Sequence, residues 1–100
     1  MSEPLVHESE FVVRSELGLH ARPASQFVAL AARFRASIHV GRGEEWVDGR
    51  SILSLLSLAA GRGTALCIRA EGDDAVEAVA ALGRLLEQPG SAGAAPEPRG

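Results

Sequence analysis

Leu17-Gly18-Leu19-His20-Ala21-Arg22-Pro23-Ala24 is the stretch on which the reading of this chain turns. A glycine-containing strand end runs into a histidine, and an arginine and a proline follow where a helix should start. Pro23 then falls in the first helical turn, where a missing N–H does no harm. The arrangement presents an imidazole at a helix N-terminus with a cation beside it. Such a site suits holding a phosphoryl group on nitrogen. It points to phosphate relay rather than to hydrolysis or metal binding.

Upstream of it, Glu10 to Glu16 reads as a half-buried strand, with Phe11, Val13 and Leu17 apolar at alternate positions and Gly18 as the turn that ends it. Residues 1–8 read as a short polar, mobile lead-in. Downstream, Ala24, Phe27, Val28, Ala31 and Phe34 form the apolar stripe of an amphipathic helix from Ala21 to about Arg33. Ala36 to Gly41 alternates again, Gly41-Arg42-Gly43 is a turn, and Glu45-Trp46-Val47 returns as a short strand, so a hairpin is expected. Ser51 to Leu58 is a brief helix carrying more leucine and isoleucine than one buried face can use, and Gly61-Arg62-Gly63 stops it.

Thr64 to Ala70 predicts a strand with Leu66 and Ile68 on one face and Cys67 and Arg69 on the other. Gly72-Asp73-Asp74 should cap a last helix over 74–87, with Val76, Val79, Leu82 or Gly83, and Leu86 as its stripe. From residue 88 to residue 100 the chain is rich in Pro, Gly, Ala and Ser, a disordered tail with nothing to bury. The order β-α-β-β-α-β-α, with one polar face per strand and one apolar face per helix, implies one antiparallel sheet covered on one side.

The 100 residues leave room for a single domain, and 46% hydrophobic with 23% charged residues is globular composition. No run approaches the roughly 18 consecutive apolar residues of a membrane span, and the first fifteen residues carry no secretory h-region. A cytoplasmic protein is expected. One cysteine, Cys67, excludes an internal disulfide and leaves no zinc pattern. A net charge of −3 gives no footprint for nucleic acid. All ten formal cations are arginine, which removes Schiff-base chemistry and a P-loop lysine. His7, His39 and His20 lie far apart in sequence without cysteines or paired acids nearby, so neither a metal nor a cofactor is expected.

Gly18-Leu19-His20-Ala21-Arg22-Pro23-Ala24 resembles the active-site signature of the HPr family, the histidine-containing phosphocarriers of the bacterial phosphotransferase system. Gly49-Arg50-Ser51-Ile52-Leu53-Ser54-Leu55-Leu56-Ser57-Leu58 resembles the family's second signature, around a regulatory serine. Gly63-Thr64 through Gly72-Asp73 looks like its fourth strand and the start of its final helix. The resemblance covers residues 9–87 with both motifs in register. It implies an α+β open-faced β-sandwich, a four-stranded antiparallel sheet with three helices on one face. It also implies that His20 takes a phosphoryl group, on Nδ1, from phosphorylated enzyme I and passes it to an enzyme IIA domain of a sugar or regulatory branch. Such a protein is a transferase component with little activity alone. Two departures stand out: Arg50 replaces the usual lysine beside the serine, and Ala59-Ala60 stands where many members have glycine, which predicts a less sharply turned helix end.

The residue types suit that chemistry. Imidazole ordinarily titrates at a pKa of about 6.5 and is mostly neutral at pH 7, as a nitrogen nucleophile must be. Arg22 can add charge-assisted contacts to the phosphoryl oxygens and stabilise the charge that develops in transfer. Ser51 reads structurally as an N-cap hydroxyl and, by resemblance, as the target of an HPr kinase/phosphorylase. Leu55 and Leu58 serve the core. By resemblance Ile52, Leu53 and Leu56, with Ala21, Ser25 and Gln26, form the patch that docks both partners. The alternative buries all five leucine-type residues. A regulatory docking protein controlled through Ser51, and a small ligand-binding domain with an ordinary capping histidine, are the competing functions. A monomer is expected.

Overall fold

In the computed structural model, which describes residues 5–89, the chain runs β1 (Val6–Val12), α1 (Ala21–Ala31), β2 (Ser37–Arg42), β3 (Glu45–Asp48), α2 (Ile52–Ser57), β4 (Ala65–Glu71) and α3 (Ala75–Leu86). The strands form one antiparallel sheet in the order β1-β4-β2-β3. One face carries the three helices, the covered antiparallel sheet that the alternating patterns predict, and the fold is the α+β open-faced sandwich that the resemblance implies. Ile38 and Val40 of β2, and Leu66, Ile68 and Ala70 of β4, point into the core against Phe27 of α1, Leu55 of α2 and Leu82 of α3. On the open face the register places Glu8, Arg69, His39 and Asp48 in one row across the four strands. His39 is therefore exposed, as its polar phase predicts. Trp46 lies across Gly41, its partner in the hairpin.

Several boundaries and faces differ from the sequence reading, among them Gly41 and Arg42, expected in a turn but paired as the end of β2. The first strand begins at Val6, not Glu10, and so takes in part of the expected lead-in. β4 supplies seven residues to pair, and they match Val6–Val12 one for one. That pairing, not the apolar alternation, sets where an edge strand lies. Val13 keeps its inward position just beyond the strand, but Leu17 sits on the following loop, 76% exposed.

In α3 the buried face runs through Ala75, Ala78, Val79, Leu82, Gly83 and Leu86, leaving Val76 59% exposed. Spacings of three and of four residues both fit a 3.6-residue turn, and the face packed on the sheet includes Ala75 and not Val76. Asp74 occupies the N-cap position of α3, but its side chain makes no capping bond to that helix. Its carboxylate accepts the N–H groups of Arg35 and Ala36, both at 2.9 Å, where the chain enters β2. The Arg35 N–H is the first cause holding this carboxyl below its ordinary pKa of 3.8, with the Ala36 N–H adding to it. Of the expected tail, residues 90–100 lie outside the described residues, as do residues 1–4 of the lead-in.

Candidate functional site

The loop between β1 and α1 is built by its backbone. Gly18 takes a left-handed φ of +76°, and a Cβ there would sit 2.5 Å from the Ala60 carbonyl oxygen. Only glycine allows both the turn and that approach. The Gly18 N–H donates to the Ser15 carbonyl at 2.9 Å, and the Leu19 N–H to the Ala60 carbonyl at 2.8 Å. His20 follows as N-cap of α1, in extended conformation with φ −89° and ψ −168°. Its carbonyl accepts the Ala24 N–H at 2.9 Å, the first bond of the helix.

The His20 side chain makes no capping hydrogen bond and is half-buried, so the imidazole is available to a ligand. At a helix start the first N–H groups have no intrahelical partner, here those of Ala21 and Arg22, since Pro23 has none. They give the N-terminus its partial positive charge, and no acidic residue in the first turn offsets it. Arg22 is exposed, and among the described residues the single salt bridge lies elsewhere, between Arg69 and Glu8 at 3.6 Å. The arrangement can therefore receive an anion beside an imidazole.

A shallow depression next to His20 is lined by Leu17, Leu19, Leu56, Ala59, Ala60 and Gly61. The structure thus brings the end of α2 up against the α1 N-terminus. Leu56 belongs to both the expected apolar trio and this depression. Ile52 and Leu53 are exposed, Leu53 by 79%, while Leu55 and Leu58 are buried in the core. Ala21, Ser25 and Gln26 are exposed on α1. Leu55 and Leu58 go to the core and Ile52 and Leu53 to the surface as the sequence reading divides them, whereas Leu56, expected to be exposed, is half-buried and packs against the core.

Ser51 is the N-cap of α2, its Oγ accepting the Ser54 N–H at 3.2 Å. Arg50 turns away from it: its guanidinium donates to the carbonyls of Ala31, at 3.2 Å, and Phe34, at 2.6 Å, and so caps the end of α1. The departure at Ala59-Ala60 comes out differently from expectation. The turn after α2 is kept, and Ala59 is driven into the left-handed region with φ +51°. Arg42 donates to the carbonyls of Leu58 and Ala59, at 2.8 and 2.9 Å.

Sequence reasoning missed Leu17, Ala59 and Gly61 as neighbours of the histidine. The one available signal was an apolar residue placed directly before Gly18. Cys67, on the open face, donates its thiol to Glu8 at 3.3 Å, and burial with the Glu8 bond raises its pKa to about 11. Among the described residues no group of three His, Cys, Asp or Glu could hold a metal ion, and no helix is long and apolar enough to cross a membrane.

Residues 7–88 match the family model described as the PTS HPr component phosphorylation site. The chain belongs to the HPr family, the phosphocarriers of the phosphotransferase system. A similar HPr, the phosphocarrier protein of Pseudomonas aeruginosa, is 45% identical over 78 residues, 77% of this chain and 87% of that protein. The crystal structure of an HPr from Bacillus anthracis superposes with a TM-score of 0.79 at 38% identity, over 82% of this chain and 98% of that one. The Bacillus subtilis relative Crh, whose crystal structure is described as a dimer with a swapped domain, gives a TM-score of 0.67 at 36% identity, over 72% of this chain and 83% of that one. HPr topology and strand order are thus those of the sheet described above.

Proposed function

We propose that this HPr carries a phosphoryl group on His20, accepting it from phosphorylated enzyme I and passing it to an enzyme IIA of a sugar or regulatory branch. The observation that carries the reading is the setting of His20. It is the N-cap of α1 with a side chain free of capping bonds, beside unpaired helix N–H groups and no first-turn acid. The Nδ1 lone pair attacks phosphorus, the bond from phosphorus to enzyme I breaks, and the enzyme I residue leaves with that electron pair. The second transfer repeats this with the Nδ1–phosphorus bond as the one that breaks.

The Ala21 and Arg22 N–H groups face the phosphoryl oxygens, and the Arg22 guanidinium supports the charge that builds during transfer. Pro23, buried in the first turn, stiffens the site. Ala21, Ser25, Gln26, Ile52, Leu53 and the half-buried Leu56 form the docking face for both partners, with Ile52 and Leu53 supplying exposed apolar surface of the kind that marks contact sites. The carrier acts as a monomer in the cytoplasm.

Ser51 is the site of a second control. A phosphate added at the N-cap of α2 is tolerated by the helix dipole. An HPr kinase/phosphorylase acting there would place negative charge on the docking face without unfolding it.

Incubation with phosphoenolpyruvate and enzyme I from the same organism, followed by intact mass, tests the reading. The expected result is one acid-labile phosphate, absent from His20→Ala. No gain by the folded wild type beside an active enzyme I would refute the carrier function and leave regulation through Ser51.

A further inference from the structure

The end of α2, which lies beside His20, is held by a residue of the sheet. Arg42 is the last residue of β2 and lies across the ladder from Glu45. Its guanidinium nevertheless makes no ion pair with that acid. It reaches to the end of α2 and donates from one nitrogen to the carbonyls of Leu58, at 2.8 Å, and Ala59, at 2.9 Å. The first is a carbonyl that a helix end leaves without a partner, and the second belongs to the residue just beyond the cap. Ala59, between Leu58 and Ala60, has φ +51°, a conformation an alanine resists.

The next carbonyl in the chain, that of Ala60, accepts the Leu19 N–H at 2.8 Å and closes against Gly18. His20 comes immediately after Leu19. A continuous chain of contacts therefore runs from Arg42 through the Leu58–Ala60 turn to the backbone that sets the imidazole.

We propose that Arg42 is a positioning residue for His20: its clamp on the Leu58 and Ala59 carbonyls holds Ala59 left-handed and so fixes the Ala60 carbonyl that anchors Leu19. This rests on the carrier reading of His20 for its kinetic part and on geometry alone for the rest. A glycine at position 59 would adopt the turn without help, whereas the alanine of this chain needs the clamp.

Three proteins test it: wild type, Arg42→Ala, and Arg42→Ala combined with Ala59→Gly. Amide exchange at Leu19 is read without any phosphoryl donor, and the transfer rate from phosphorylated enzyme I is read separately. Arg42→Ala is expected to speed Leu19 exchange relative to amides in the middle of β4, and to slow transfer about tenfold by misplacing the imidazole. Adding Ala59→Gly is expected to bring both back to within about twofold of wild type. Unchanged Leu19 exchange in Arg42→Ala would overturn the proposal, and so would a defect that glycine at 59 does not repair. A wild type that takes no phosphate would overturn the carrier reading instead, while the exchange comparison would still decide the role of Arg42.

Discussion

Replacing Ala59 by glycine should stabilise the protein, against the usual direction of an Ala→Gly change. Ala59 is exposed and sits at φ +51° just after α2. A left-handed residue with a Cβ is disfavoured by about 1–2 kcal/mol. Glycine removes that cost but gives the unfolded chain extra freedom, worth about 0.4–1 kcal/mol in the opposite sense. The difference is a net gain of about 1 kcal/mol. For a domain of this size that is a rise of about 4–8 °C in Tm, or about 1 M in the urea midpoint when the slope is near 1 kcal/mol per molar.

Urea unfolding followed by circular dichroism measures it, with Ala60→Gly as the control. Ala60 is buried and outside the left-handed region, so its glycine variant should lose about 1 kcal/mol. A glycine at 59 that leaves the midpoint unchanged or lowers it would refute the argument that this alanine is strained.

Gly18→Ala should cost at least about 2 kcal/mol in the same assay, since it adds left-handed strain to a 2.5 Å approach on the Ala60 carbonyl; a loss under about half that would contradict the geometry. Asp74 has its pKa lowered, so its contribution is present above pH 3.8 and is lost as pH falls through the folded value. Asp74→Asn should accordingly be less stable than wild type near neutral pH, with the gap closing below pH 3.8; a gap that stays constant across the acid range would show that the charge is irrelevant. Leu53→Asp, at a residue 79% exposed, should leave stability within about 0.5 kcal/mol while raising the KM for the carrier in the enzyme I reaction about tenfold. An unchanged KM would remove Leu53 from the docking face.

Much of this architecture was legible in the chain. Alternation in Ile38/Val40 and Leu66/Ile68, the stripe Ala24-Phe27-Ala31 and the Ser51 cap are local patterns, and each element they predict is present. The edge-strand limits were not legible, because Val6–Glu8 are held by pairing with Glu71–Arg69, more than sixty residues away in sequence. The same holds for Asp74, whose position reads as a helix cap but whose partners lie 38 and 39 residues upstream.

His20 and Arg22 as a pair at a helix start, and the division of α2 into buried Leu55 and exposed Leu53, were determined by sequence alone, since periodicity and turn chemistry act within a few residues. What only the tertiary structure decided is the wall around the imidazole: Leu17 and the Leu56–Gly61 turn beside it, and the arginines at 42 and 50 spent on capping helix ends. Those contacts join segments far apart in the chain. Their geometry follows from how the helices pack across the sheet, and no local pattern of residues encodes it.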